Sequence, residues 1–151
     1  MARVLRIYLD ACALNRLTDD PAQQRIAREA EAVYQLLRRI RLGQIAWVAS
    51  SSLAAELGNN PNEQIRKDAL ALLRYACEIR RPSSSVIRRG RNLHLLGYGI
   101  FDALHLPIAE ERQYDVLLTT DDRFLRQARR RLGGPTVRVD NPLNYVKEMA
   151  P

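Results

Sequence analysis

Hydrophobic positions along the chain fall into short runs and periodic stripes that alternate. Val4 to Leu9 is a β-rich run closed at once by Asp10, as a buried parallel strand would be. Between Pro21 and Leu42, the residues Ile26, Ala30, Val33, Leu37 and Ile40 recur at steps of four and three. That is the spacing of an amphipathic helix, and Gly43 closes it. Ile45 to Ala49 reads as a second strand. Ser50 to Ser52 would cap a short helix carrying Glu56, ended by the turn Gly58-Asn59-Asn60-Pro61. A second helical stripe runs through Ile65, Ala69, Leu72, Ala76 and Ile79. Ser83 to Ser85 opens another helix, Gly97-Tyr98-Gly99 breaks the chain, and Ile100 to Arg112 reads as a more buried helix. Asp115 to Thr119 predicts a strand and Asp121 to Leu132 a helix. After the Gly133-Gly134-Pro135 turn, Thr136 to Val139 predicts the last strand, with a short helix from Asn141 onward. Strands separated by helices predict a mostly parallel sheet covered on both faces. The expected architecture is one three-layer α/β/α domain over residues 1–151, with no repeat or linker dividing it.

Composition narrows the class. A chain of 151 residues, 46% hydrophobic and 27% charged, has the balance of a globular domain and excludes global disorder. No apolar run approaches the roughly 20 residues of a membrane span. The N-terminal stretch lacks a small-residue cleavage site. Cys12 and Cys77 make neither a disulfide framework nor a cysteine-rich zinc site, so a cytoplasmic protein without membrane association is expected. The net charge is +7, and Lys67 and Lys147 are the only lysines among 24 cationic side chains. Arginine forks match phosphate and carboxylate geometry, so the balance points to a phosphate-rich or acidic partner. A surface of solvated arginines would give the same count.

Open parallel sheets build their sites beyond the carboxyl ends of the strands. Asp10 ends the first predicted strand, and Asp121 follows Val116-Leu117-Leu118-Thr119 by two residues. Glu56 lies on the helix after the second strand, and Asp102 begins the apolar helical stretch Ile100 to Leu106. Each has a plain structural reading: Asp10, Asp102 and Asp121 as helix-terminus residues, Glu56 as a solvated helix position. Together they read differently. Two carboxylates about 5 Å apart repel by roughly 3 kcal/mol at an effective dielectric near 20, so four converging acids call for a cation. Hard oxygen donors suit Mg²⁺ or Mn²⁺ rather than zinc or copper. Such an ion activates water beside a phosphodiester. Arg123, Arg126 and Arg130 recur at helical spacing just after Asp121, so they could track a phosphate backbone or simply form a solvated face. A phosphate-binding G-x-x-x-x-G-K-[ST] loop, a dinucleotide fingerprint, an H-E-x-x-H pair and a G-x-S-x-G elbow are all missing.

Four segments carry a resemblance to a known family. They are Ile7-Tyr8-Leu9-Asp10-Ala11-Cys12-Ala13-Leu14-Asn15-Arg16, Ser52-Leu53-Ala54-Ala55-Glu56-Leu57, Phe101-Asp102-Ala103-Leu104-His105-Leu106 and Leu117-Leu118-Thr119-Thr120-Asp121-Asp122-Arg123-Phe124. In this order and spacing, over about residues 4 to 146, the sequence resembles a PIN domain, the nuclease fold of VapBC-type toxins. The resemblance implies a single-strand-directed ribonuclease using Mg²⁺ or Mn²⁺. It places Asp10, Glu56, Asp102 and Asp121 in an acidic pocket, with Asp10, Asp102 and Asp121 on the metal. Asn15 and Thr119 would support that pocket, and His105 would be structural. Two departures stand out: Asp122 is a second candidate for the fourth acid, and Cys12 stands where many relatives carry Thr or Ser. The implied partners are RNA and a cognate antitoxin, and a homodimer is expected. A non-catalytic PIN-like module binding RNA or protein through its arginines is the main alternative. A phosphoryl-accepting receiver-like domain fits less well, because its acidic pair and late lysine are missing.

Overall fold

Three apolar triplets, Ile7-Tyr8-Leu9, Trp47-Val48-Ala49 and Val116-Leu117-Leu118, are fully buried on both faces. Only a central sheet covered on each side can do this, and parallel strands suit it best. The computed structural model describes residues 3–149, and within them it contains that sheet. In chain order the elements are β1 (Leu5–Leu9), α1 (Ala11–Asn15), α2 (Gln24–Arg41), β2 (Ile45–Ser50), α3 (Ser51–Gly58), α4 (Glu63–Leu72), β3 (Glu78–Arg80), α5 (Ser84–Leu95), α6 (Asp102–Glu111), β4 (Val116–Leu118), α7 (Asp122–Arg129), β5 (Val139–Asp140) and α8 (Pro142–Met149). The strand order is β3-β2-β1-β4-β5, and every pairing is parallel. The fold is a three-layer α/β/α sandwich.

The order of the strands positions the site. From β1 the chain steps to β2 and then β3, moving one way; it then crosses back to β4 and β5, moving the other. Right-handed crossovers put the helices of these two excursions on opposite faces of the sheet. The direction reverses between the adjacent strands β1 and β4, so a crevice opens beyond their carboxyl ends. Asp10 follows β1 there, its backbone N–H donating to Leu118 O at 3.2 Å. Thr119 follows β4.

Helix α6, which begins with Asp102, is held close to α5 by a proline and a glycine. Pro107 has no N–H to donate to the Ala103 carbonyl one turn back, so that carbonyl is freed from the helix ladder. It faces Gly90 of α5, where a Cβ would lie only 2.9 Å from Ala103 O. The bare backbone of Gly90 admits this close approach.

Two expected elements differ. The stripe from Ile65 to Ile79 is not one helix: α4 ends at Leu72, a 3₁₀ turn covers Leu73–Tyr75, and Glu78–Arg80 forms β3. The edge of β2 offers unpaired backbone groups; Cys77 N donates to Trp47 O at 2.9 Å and the following residues pair alongside. Ile79, counted in the helical stripe, is instead largely exposed on that edge strand. The last strand is also shorter than Thr136 to Val139 and covers only Val139–Asp140. Thr136 is tied off the sheet by Glu110, which accepts from its backbone N–H at 2.8 Å and from its hydroxyl at 3.2 Å.

Candidate active site

Asp10 caps α1 with one carboxylate oxygen and leaves the other bare. Its Oδ1 accepts from Ala13 N at 2.9 Å. Its Oδ2 is buried without a hydrogen-bond partner. Burial raises the Asp10 carboxyl to about 7, and neighbouring Asp102 adds to the shift. The Thr119 hydroxyl, close by without a well-formed bond, and the Ala13 amide pull the other way. A buried carboxylate oxygen with nothing to accept from is costly, and a cation or a proton must answer it.

Asp102 sits in the first turn of α6 but is not its cap, which is Phe101 without any side-chain bond. No side chain or backbone group among the described residues donates to its carboxylate. Gly99 makes room for it: a Cβ there would lie 3.2 Å from Asp102 Oδ2. Burial raises this carboxyl too, to about 7, with Asp121 and Glu56 adding to the shift and His105 and then Arg123 opposing it. Burial thus favours the protonated form of both Asp10 and Asp102 well above the usual carboxylate range.

The other acids have partners. Asp121 caps α7, its Oδ1 accepting from Arg123 N at 2.9 Å and Phe124 N at 3.3 Å. Its own N–H donates to the Thr119 hydroxyl at 3.1 Å, so Thr119 shapes the turn that carries it. Glu56 Oε1 is bound to His105 Nε2 at 2.8 Å. Asp122 is turned away, held by the two terminal guanidinium nitrogens of Arg25 at 2.7 Å. Asn15 lies half-buried at the end of α1, where its carbonyl accepts from Thr18 N and Asp19 N at 3.0 Å.

Cys12, in the first turn of α1, reports how these acids converge. Its thiol is pushed far up, first by burial and then by the charges of Asp10, Glu56, Asp121 and Asp102. All four proposed acids therefore act on one point at the carboxyl end of the sheet. They do not close around it: among the described residues, no three His, Cys, Asp or Glu side chains are gathered tightly enough to hold a metal ion. Capping at Asp121 and the His105 bond at Glu56 hold those two carboxylates to the walls; Asp10 is also a cap but keeps its buried Oδ2 bare, and Asp102 caps nothing.

A family model for the PIN domain matches residues 7–130, most of the chain. The protein belongs to the PIN domain family. PIN domains are generally nucleases and typically use divalent metal ions, and the donors here are of the right kind. Hard carboxylate oxygens, one of them orphaned in the interior, are what Mg²⁺ or Mn²⁺ binds. No curated protein matches the chain. No helix among the described residues of this PIN domain is long and apolar enough to cross a membrane.

The arginines expected to line the approach occupy different settings. Arg123 reaches back to Gly97 O at 3.2 Å, beside Asp102. Arg126 and Arg130 are exposed on α7 and make no ion pair among the described residues, whereas Arg129 between them binds Asp140 at 3.1 Å. Sequence reasoning missed three residues that the fold brings into this site's wall: Tyr8, Ser50 and the tether role of His105. A tyrosine between Ile7 and Leu9, in the apolar half of the first strand, is the one visible signal for them.

Proposed function

We propose that this PIN domain is a metal-dependent ribonuclease that cuts single-stranded RNA and serves as the toxin of a toxin–antitoxin pair. The observation that carries the reading is the Asp10–Asp102 pair, two neighbouring acids that make no ion pair among the described residues, one with a bare buried oxygen. Asp10, Asp102 and Asp121 would hold Mg²⁺ or Mn²⁺. When bound, the ion supplies an activated water and neutralises charge on the phosphoryl group under attack. Glu56 has its Oε1 on His105 and, among the described residues, no partner on its Oε2, so Oε2 is the atom that can accept the proton of an attacking water. Arg123 stands beside Asp102 and balances the negative charge that RNA brings to the crevice. The expected partners are RNA, an antitoxin protein and a second copy of the chain, in the cytoplasm.

A second reading, a non-catalytic module that binds RNA or protein through its arginines, draws on the open arrangement of the four acids. Metal-dependent cleavage of single-stranded RNA separates the two. Wild type should cut, while Asp10→Asn and Asp102→Asn should lose activity by orders of magnitude with circular dichroism unchanged. Cleavage by both variants at the wild-type rate would sink the nuclease reading; RNA binding without cleavage by wild type would favour the module.

A further inference from the structure

Behind Glu56 runs a closed chain of hydrogen bonds that ends inside the sheet. His105 Nε2 meets Glu56 Oε1 at 2.8 Å, and His105 Nδ1 meets the Tyr8 hydroxyl at 2.6 Å. That hydroxyl meets Ser50 Oγ at 2.6 Å, and Ser50 Oγ accepts from Leu53 N at 3.0 Å. Tyr8, Ser50 and His105 are wholly buried, so each side-chain hydrogen bond is satisfied within the protein interior. The imidazole is also clamped by rings, with Tyr8 tilted at 5.2 Å and Phe101 stacked at 6.3 Å between centroids.

Counting donors fixes the direction of every bond. Ionised Glu56 only accepts, so Nε2 carries a hydrogen. Ser50 already accepts from Leu53, and its own hydroxyl hydrogen needs an acceptor, which among the described residues is Tyr8. Tyr8 then spends its hydrogen on His105 Nδ1. The sequence is Leu53 N–H to Ser50 O–H to Tyr8 O–H to Nδ1, and Nε2–H to Glu56, with one donor per bond. A second hydrogen, on Nδ1, would reverse the chain and strand the Ser50 hydroxyl hydrogen in the interior.

We propose that His105 is a positioning residue, locked by Tyr8 and Ser50 in the Nε2–H tautomer so that it pins Glu56 Oε1 and leaves Oε2 facing the crevice. This rests on the reading of Glu56 as part of the reactive site. Ring nitrogens are routinely oriented through the bond made by the opposite nitrogen, and such supporting groups are worth roughly 10- to 100-fold in activity.

Two measurements on the full chain test it. Nitrogen-15 NMR of the imidazole should show wild-type His105 with hydrogen on Nε2 and a bare Nδ1, and Tyr8→Phe should mix the tautomers. A wild-type ring with hydrogen on Nδ1 would overturn the proposal whatever the activity. In RNA cleavage, His105→Leu and Tyr8→Phe should each lower kcat by roughly 10- to 100-fold with KM little changed. His105→Gln, whose amide can still donate to Glu56, should recover most of the loss. In the His105→Gln background Tyr8→Phe should then cost nothing further, because no tautomer remains to be set. An equal cost in both backgrounds, or unchanged kcat in His105→Leu, would reduce the chain to packing and overturn it. Failure of the nuclease reading would register separately, as wild type without metal-dependent cleavage, and the NMR result would then decide the tautomer lock alone.

Discussion

Arg25 grips Asp122 through its two terminal guanidinium nitrogens, each 2.7 Å from a carboxylate oxygen, while Asp121 beside it stays at the crevice. Two adjacent acids are thereby given different work. The pair holds the Asp122 carboxyl below the usual carboxylate range, through the Arg25 bond first. It is half exposed on both sides and contributes at most about 1 kcal/mol. Asp121→Asn should therefore abolish cleavage, and Asp122→Asn should leave kcat within a few-fold and shift the melting midpoint slightly. Equal loss of cleavage in the two variants would mean that Asp122 leaves Arg25 to join the site.

Asp10 and Asp102 make a pH prediction whose sign is unusual for carboxylates. Both are raised to about 7 in the fold, chiefly by burial, against roughly 4 in an unfolded chain. Between those values the native state binds more protons than the unfolded one, so stability falls as pH rises. Asp122 and Asp140, which are lowered, act in the opposite sense, but only as pH falls below the ordinary carboxylate range. With chelator present, the melting midpoint should drop between about pH 5 and pH 8, and Asp10→Asn should flatten that drop. Millimolar Mn²⁺ should raise the midpoint most near pH 8, where both carboxyls are ionised. Binding near pH 6 should release protons, seen as a buffer-dependent heat in calorimetry. A midpoint insensitive to both metal and pH would separate the two acids from any shared ion.

How much of this is legible in the sequence depends on the range over which each feature is written. Three of the acids, Asp10, Asp102 and Asp121, stand out because each sits where a strand ends or a helix begins, and Glu56 because it rides the helix that directly follows β2. Strand β3 is hidden because Ile79 continues the helical spacing of Ile65, Ala69 and Leu72, and only the free edge of β2 decides otherwise. Glu29 is a charged residue on the buried side of α2, answered by Arg16 Nε at 2.9 Å and Arg25 Nε at 3.4 Å. Nothing in the stripe announces it. The Tyr8 hydroxyl meets partners 42 and 97 residues away, a distance over which no periodicity reaches. Local chemistry names the acids; tertiary contacts decide which of them is free.

Gly90 offers a test of how α6 is held. Gly→Ala within a helix ordinarily stabilises by about 0.5–1 kcal/mol. Here the new Cβ would meet Ala103 O at 2.9 Å and Leu104 Cδ2 at 3.1 Å. Backbone cannot swing aside as a side chain can, so the steric cost, about 1–3 kcal/mol for overpacking, should exceed the gain. Gly90→Ala should lower the melting midpoint and, by moving the helix that starts at Asp102, weaken cleavage as well. A stabilised variant would mean that α5 and α6 separate freely, and Asp102 would then not depend on their spacing.

The exposed arginines of α7 predict a specific salt dependence. Arg126 and Arg130 face solvent without an ion pair among the described residues, whereas Arg129 is engaged with Asp140 at 3.1 Å. On a single strand each phosphate contact contributes about 0.7 to the slope of log affinity against log salt. If both free arginines touch phosphates, the Arg126→Ala, Arg130→Ala double variant should flatten that slope by about 1.4. Arg129→Ala serves as the control, because it removes the same charge from the same helix but breaks a contact inside the protein. It should lower stability and leave the slope nearly unchanged. The measurement is fluorescence anisotropy of a labelled single-stranded RNA across a salt series, using the Asp10→Asn background so that the RNA stays intact. Equal flattening by Arg129→Ala would reduce the effect to net charge, and an unchanged slope in the double variant would route the RNA over another face of the molecule.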